Sequence, residues 1–141
     1  MIFRTHLAFA FLIGLFFDFK SLIFILIGSL IPDLDVSNSK ISRKVIFSKL
    51  FNILFGHRKF FHSLLFGVII SFFVFLFTNQ YLMVFIGFFS HLLLDCFTKD
   101  GVMVFYPFEF KFKGFIKTNG IVEKILFIVL IFLIIIKLLY L

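Results

Sequence analysis

Long apolar segments alternate with polar connections along the chain. The apolar segments cover residues 7–17, 21–31, 63–77, 81–94 and 125–136. Each is longer than a typical β-strand, so the pattern predicts helices. The connections at 18–21 and 78–80 are short and polar, which predicts two antiparallel helical hairpins. The predicted fold class is an all-α bundle of two short hairpins followed by a C-terminal helix over 121–141.

The composition predicts where such a bundle resides. Hydrophobic residues make up 62% of the 141 positions, and Phe alone occurs 28 times, whereas ordinary globular domains contain about 45–50% apolar residues. We therefore predict a single integral membrane domain over residues 1–141, with the bundle embedded in the membrane and the C-terminal helix crossing it. A helix of about 11 residues reaches only about 17 Å of a core of roughly 30 Å. We expect the first hairpin to span with help from its flanking residues or to insert only partly.

Two longer polar connections, residues 32–62 and 98–120, have patterns of their own. Polar side chains recur every four residues at Lys44, Ser48 and Asn52, with apolar side chains on another side. This predicts an amphipathic helix along the membrane interface. Apolar and charged residues alternate over residues 108–113, which indicates a short strand or β-hairpin within the 98–120 loop.

The distribution of charge predicts an orientation. The formal net charge is +7, and of the 14 Lys and Arg residues only Lys20 and Lys137 fall towards the end of the bundle that holds the short turns. The positive-inside rule then places the other end in the cytoplasm. We expect a multi-pass protein of the inner (cytoplasmic) membrane whose basic residues meet anionic lipid headgroups rather than nucleic acid.

The same predicted topology gathers the histidines and most of the aspartates. The start of the first helix, the end of the second, the start of the third and the end of the fourth share one end of the bundle. The candidate metal ligands at that end are His6, Asp33, Asp35, His57, His62, His91 and Asp95. Imidazole nitrogens and carboxylate oxygens, with few thiols, are donors that suit a divalent metal ion.

The strongest signal within this set is the pair His91 and Asp95. They are four residues apart and so share one helix face, inside an otherwise apolar helix where ionisable groups are costly to keep. Gly87, one turn earlier on the same stripe, predicts close approach of another helix. The plain alternative is a His–Asp hydrogen bond that ties two helices together.

The other candidates also have plain alternatives. His6 would serve equally as an interfacial polar residue at a helix start, His57 and Arg58 as headgroup contacts, and His62 as part of a helix start capped by Ser63. Pro32 ends a helix by itself, but two carboxylates after it are more than a helix end requires.

Taken in order, these motifs resemble a known family. The motifs are Pro32-Asp33-x-Asp35, His57-Arg58-x-x-x-His62-Ser63 and His91-x-x-x-Asp95. They resemble the YdjM-like family of predicted inner-membrane metal-dependent hydrolases over nearly the whole chain, which implies a membrane-embedded helical hydrolase. The order is also similar, more distantly, to the ligand pattern of zinc-dependent phospholipase C and related single-strand nucleases. Those enzymes hold three zinc ions with a second His-x-x-x-Asp/Glu pair, which this chain lacks, so we expect one or two ions.

The leading functional hypothesis is metal-assisted hydrolysis of a phosphoester at the membrane face, with zinc as the expected ion. A metal-activated water would attack the ester, Asp35 would bridge ions or act as general base, and Arg58 with Lys59 would hold the phosphate. The expected substrate is a phospholipid or another lipid-linked phosphoester. The alternatives left open are a metal or proton transporter and a non-catalytic membrane scaffold. Whether Asp100 or Glu109 reaches the site is also left open.

Overall fold

The computed structural model describes residues 1–35 and 60–140, except the side chains of residues 34 and 35. The α-helices of these residues are α1 (Phe3–Gly14), α2 (Phe19–Leu30), α3 (Leu64–Phe75), α4 (Tyr81–Cys96) and α5 (Ile121–Leu139). A 3₁₀ helix, Ile31–Asp35, follows α2 directly. The predicted helical segments are thus confirmed, while the amphipathic helix predicted around residues 44–52 lies outside the described residues.

Local capping explains where the second helix of the first hairpin begins. Asp18 is the N-cap of α2, and its carboxylate accepts hydrogen bonds from the backbone amide of Ser21 (3.2 Å) and from the Ser21 hydroxyl (2.6 Å). Ser63 caps α3 in the same way, accepting from the amide of Phe66 (3.3 Å). A side-chain acceptor at this position satisfies amides that have no partner inside the helix.

Two pairs of helices run parallel. Ser21 and Gln80 meet near the starts of α2 and α4, and Ser29 meets His91 near their ends. For the second pair, Arg4 lies over the ring of Phe127 at the starts of α1 and α5, and Lys137 lies over the ring of Phe16 at their ends. The starts of α1, α3 and α5 and the ends of α2 and α4 therefore share one end of the bundle, here named the site end.

Helices α2 and α4 cross in close contact, and this contact depends on two glycines. A Cβ atom at Gly28 would lie 2.1 Å from the carbonyl oxygen of Val84, and one at Gly87 would lie 1.9 Å from that of Ile25. Side chains at these positions are therefore excluded by backbone atoms. The close approach that the sequence predicted at Gly87 is confirmed.

The prediction of a membrane-embedded bundle with a membrane-crossing C-terminal helix is wrong. Within residues 1–35 and 60–140, every helix is too short or too polar to span a membrane. Three of the five helices have 12 residues, or about 18 Å against the roughly 30 Å of a bilayer core. Helix α5 has 19 residues but includes Glu123, Lys124 and Lys137. The high apolar content is thus divided among helices that are mostly much shorter than a bilayer core.

The expected β-hairpin in the 98–120 loop is also wrong. The described residues there form two isolated bridges, Thr98 with Ile116 and Val102 with Phe112. The side chains of Phe108 and Phe110 are 74% and 63% exposed, so the alternation of apolar and charged residues does not correspond to one buried face.

We predict that Gly87→Ala destabilises the protein because the added methyl group forces α2 and α4 apart. Overpacking of this kind costs about 1–3 kcal/mol, and the neighbour here is backbone rather than a movable side chain. Urea unfolding followed by circular dichroism would measure the change. Ser90→Ala is the control, since it removes a buried atom from the same helix without adding bulk; equal stability of Gly87→Ala and the parent protein would contradict the prediction.

Candidate metal centre

Five of the seven predicted metal ligands meet at the site end. They come from α1, the 3₁₀ helix, the turn before α3, and α4, and they are His6, Asp33, His62, His91 and Asp95. Their donor atoms form two groups, each with all atoms within 4.8 Å of one another: His6, His91 and Asp95, and Asp33, His62 and His91. His91 belongs to both groups.

The carboxylate of Asp95 lies between the imidazoles. Its Oδ1 is 3.3 Å from Nε2 of His6, and its Oδ2 is 3.5 Å from Nε2 of His91 and 4.0 Å from Nε2 of His62. The amino group of Met1 also contacts Oδ1, at 2.6 Å. The two oxygens therefore face different partners, so one carboxylate connects α1, α4 and the start of α3.

A backbone carbonyl fixes the orientation of His91. Nδ1 of His91 lies 2.8 Å from the carbonyl oxygen of Ser29. Because a carbonyl only accepts hydrogen bonds, Nδ1 carries the proton and donates, and the lone pair is left on Nε2. Nε2 lies 3.8 Å from Oδ1 of Asp33 and 3.5 Å from Oδ2 of Asp95. Metal-binding histidines are typically held by such a hydrogen bond from the other ring nitrogen.

The free nitrogen of His91 is buried and lacks a hydrogen-bond donor. The side chain is 0% exposed, and Nε2 has no hydrogen-bond partner among the described residues. Buried polar atoms in folded proteins are nearly always paired. A lone pair that faces two carboxylates and has no donor is suited to a cation, so these residues fit a divalent metal ion.

Electrostatics keep the imidazole of His6 neutral and Asp95 charged. Burial lowers the pKa of His6, and the adjacent His91, whose ring stacks on it with centroids 3.8 Å apart, lowers it further against the opposing effect of Asp95. Burial alone would raise the pKa of Asp95, but the hydrogen bond from His6 and the positive charge of the Met1 amino group beside it hold that pKa well below its ordinary value. Neutral imidazole and ionised carboxylate are the forms that bind metals.

The shared nitrogen limits how many ions these residues can hold. Since Nδ1 of His91 is bound to Ser29, only Nε2 can ligate, and one lone pair binds one ion. The two donor groups therefore cannot each use His91 for a separate ion at once. Within the described part of the chain, the geometry accommodates one ion on His91.

A cavity of about 70 Å³ opens beside the centre. It is lined by Met1, Asp33, His62, Asp95, Thr98, Asp100, Gly101, Val102 and Thr118. Asp100, from the 98–120 loop, therefore lines the cavity beside the site, and its carboxylate accepts a hydrogen bond from the hydroxyl of Thr118 (3.2 Å). Glu109 is exposed and does not line this cavity.

Several predicted residues cannot be placed. His57, Arg58 and Lys59, together with the side chain of Asp35, lie outside the described residues. Their predicted roles stay predictions. Sequence reasoning also missed the carbonyl of Ser29. The signal that could have found it is the Gly28-Ser29 pair on α2, whose small residues allow α4 to pass close enough for His91 to reach the backbone.

Over residues 1–35 and 60–140, the fold and the site define a helical protein with a histidine and aspartate centre suited to a divalent cation. The chain belongs to the YdjM inner membrane protein family, whose model matches residues 1–140. This confirms the resemblance that the motifs indicated, and the family description supports a membrane location.

The chain is also similar in sequence to a protein of Bacillus subtilis. The chain is 38% identical over 109 residues to the uncharacterized protein YvsG of Bacillus subtilis (strain 168), which covers 70% of this chain and 66% of that protein. The match thus spans just under two thirds of the relative's length. No solved structure matches the chain.

We predict that a divalent metal raises the thermal stability of the protein through His91. An ion at 100 times its Kd stabilises a folded state by about 2.7 kcal/mol, which differential scanning calorimetry would detect with Zn²⁺ or Co²⁺. His91→Ala should remove this gain because it is the donor common to both groups.

Asp18→Asn is the control, since it alters a carboxylate at the opposite end of the bundle. Stabilisation of His91→Ala equal to that of the parent protein would contradict the assignment of this residue.

Proposed function

We propose that this protein is a membrane-associated, metal-dependent hydrolase that cleaves a phosphoester, with its site end towards the cytoplasm. The single observation that carries the proposal is the buried, unpaired Nε2 of His91, which faces two carboxylates beside an open cavity. A purely structural His–Asp pair needs neither a second carboxylate nor a cavity.

The donor set supports zinc as the ion. His6, His91 and Asp95 offer two imidazoles and one carboxylate, and catalytic zinc sites combine three such ligands with an open position. Asp33 and His62 lie on the cavity side of His91. The ion would supply Lewis-acid activation of a water molecule for hydrolysis.

Residues of this chain would supply the general base, the carboxylate ligand and the phosphate contacts. Asp33 and Asp95 both line the cavity, but Asp33 is 30% exposed against 15% for Asp95, so Asp33 is the better placed to accept a proton from the attacking water. Asp95, held ionised by its neighbours, would be the carboxylate ligand beside His6 and His91. Asp35 as a second base and Arg58 with Lys59 as phosphate contacts are retained in the proposal from the sequence motif.

The substrate class is proposed from charge and location. The basic residues flank the site motifs in the sequence, and Arg and Lys are the side chains that bind phosphate oxygens. A family described as inner membrane proteins supports a phospholipid or another lipid-linked phosphoester over nucleic acid.

We predict metal-dependent turnover of a phosphodiester by the purified protein. Bis(p-nitrophenyl) phosphate would test the chemistry, and vesicles of anionic phospholipid would test the substrate class, each with Zn²⁺ and with chelator. His91→Ala and Asp95→Ala should each lower turnover by more than about 100-fold, since even the partners that only orient metal ligands contribute about 10–100-fold.

Asp18→Asn should keep full activity and so report on general damage. Robust turnover by both the His91 and Asp95 variants, or turnover that persists in chelator, would defeat the hydrolase proposal.

A further inference from the structure

One buried carboxylate lies outside the metal centre and has no role in the function proposed above. Glu123, in the first turn of α5, is 1% exposed. Its Oε1 accepts hydrogen bonds from the backbone amide of Ile2 (2.5 Å) and the hydroxyl of Thr5 (3.2 Å). Its Oε2 accepts from the backbone amide of Asn119 (2.5 Å). A fully buried Glu is rare unless its oxygens are satisfied in this way.

This carboxylate caps two helices at once. It reaches back to Asn119, next to the N-cap Gly120 of α5, much as the Glu of a capping box does. It also reaches across to α1, whose N-cap residue Ile2 has no side-chain acceptor of its own. Negative charge near helix N-termini is favourable, so Glu123 stabilises the starts of α1 and α5 and ties them together.

The first turn of α1 carries His6, one of the candidate metal ligands. Thr5, which donates to Glu123, directly precedes His6, whose Nε2 lies 3.3 Å from Asp95 and whose ring stacks on His91 with an interplanar angle of 7°. The rotation of this turn about the helix axis and its position along that axis decide whether the imidazole of His6 faces Asp95. Small displacements of ligating groups have large effects on a site.

We propose that Glu123 is a positioning residue for the metal centre, acting through His6. Its hydrogen bonds are to Ile2, Thr5 and Asn119 rather than to the donor groups, and they fix the turn from which the His6 side chain projects. This inference rests on the proposed metal site. The competing explanation is that Glu123 is a cap that contributes only to stability.

The first test is the metal affinity of Glu123→Gln, measured by titration with Co²⁺ at a temperature at which circular dichroism shows every variant folded. Glutamine keeps the size but replaces one acceptor oxygen with an NH₂ donor, which must face a donor of the protein. We expect affinity to fall about 10–100-fold, the usual effect of losing a partner that orients a ligand. The visible spectrum of bound Co²⁺ should also change, because loss of His6 alters the ligand field.

The second test separates positioning from stability. In a His6→Ala background, Glu123→Gln should cause no further loss of Co²⁺ affinity, because the residue through which it acts is absent. Asp18→Asn is the matched control: it also alters a carboxylate that accepts from a backbone amide and a hydroxyl, and it should leave Co²⁺ affinity and spectrum unchanged.

The outcomes are distinct. If the parent protein binds no Co²⁺ or Zn²⁺, the proposed metal site fails and this inference fails with it. If the parent binds but Glu123→Gln binds equally well, or if the loss persists in full without His6, only the positioning role is overturned. Should Glu123→Gln not fold, Thr5→Val takes its place, since it removes one donor at nearly constant shape; it should weaken Co²⁺ binding several-fold, and unchanged binding would overturn the inference.

Discussion

The site depends on how closely α2 and α4 approach each other. Gly28 and Gly87 let the two backbones meet where any side chain would collide, and this brings the carbonyl of Ser29 within 2.8 Å of Nδ1 of His91. That hydrogen bond selects the tautomer with its lone pair on Nε2, towards Asp33 and Asp95. A packing feature in the middle of the bundle therefore determines the chemistry at its end.

The arrangement keeps a charged carboxylate in a poorly solvated site, which the Met1 amino group offsets in part. Asp95 is only 15% exposed yet held ionised by its neighbours, while burial lowers the pKa of His6 and so favours its neutral form. A buried carboxylate beside neutral imidazoles contributes little to stability compared with an apolar pair. It does create a preformed set of ligands in the protonation states a cation needs.

The sequence predicted the parts of the site that depend on local spacing. The spacing of four residues between His91 and Asp95 predicted that they share one helix face. The short turns predicted antiparallel helices, which bring His6, His62 and Asp33 to the same end of the bundle. Spanning a membrane was predicted from the high apolar content despite the short segments, and it proved wrong because every helix of the described residues is too short or too polar to cross a bilayer. The alternation of apolar and charged residues over 108–113 wrongly predicted a β-hairpin, because a period of two does not show that the apolar side chains are buried.

The sequence by itself determined the helices, their order and the residue types available for chemistry, because periodicity, capping and turn length are local properties of the chain. Only the tertiary structure decided that two donor groups share one nitrogen of His91, that Asp100 rather than Glu109 lines the cavity, and that Glu123 caps the start of α1. Each of these depends on distances between segments far apart in sequence, which are set by side-chain packing between helices.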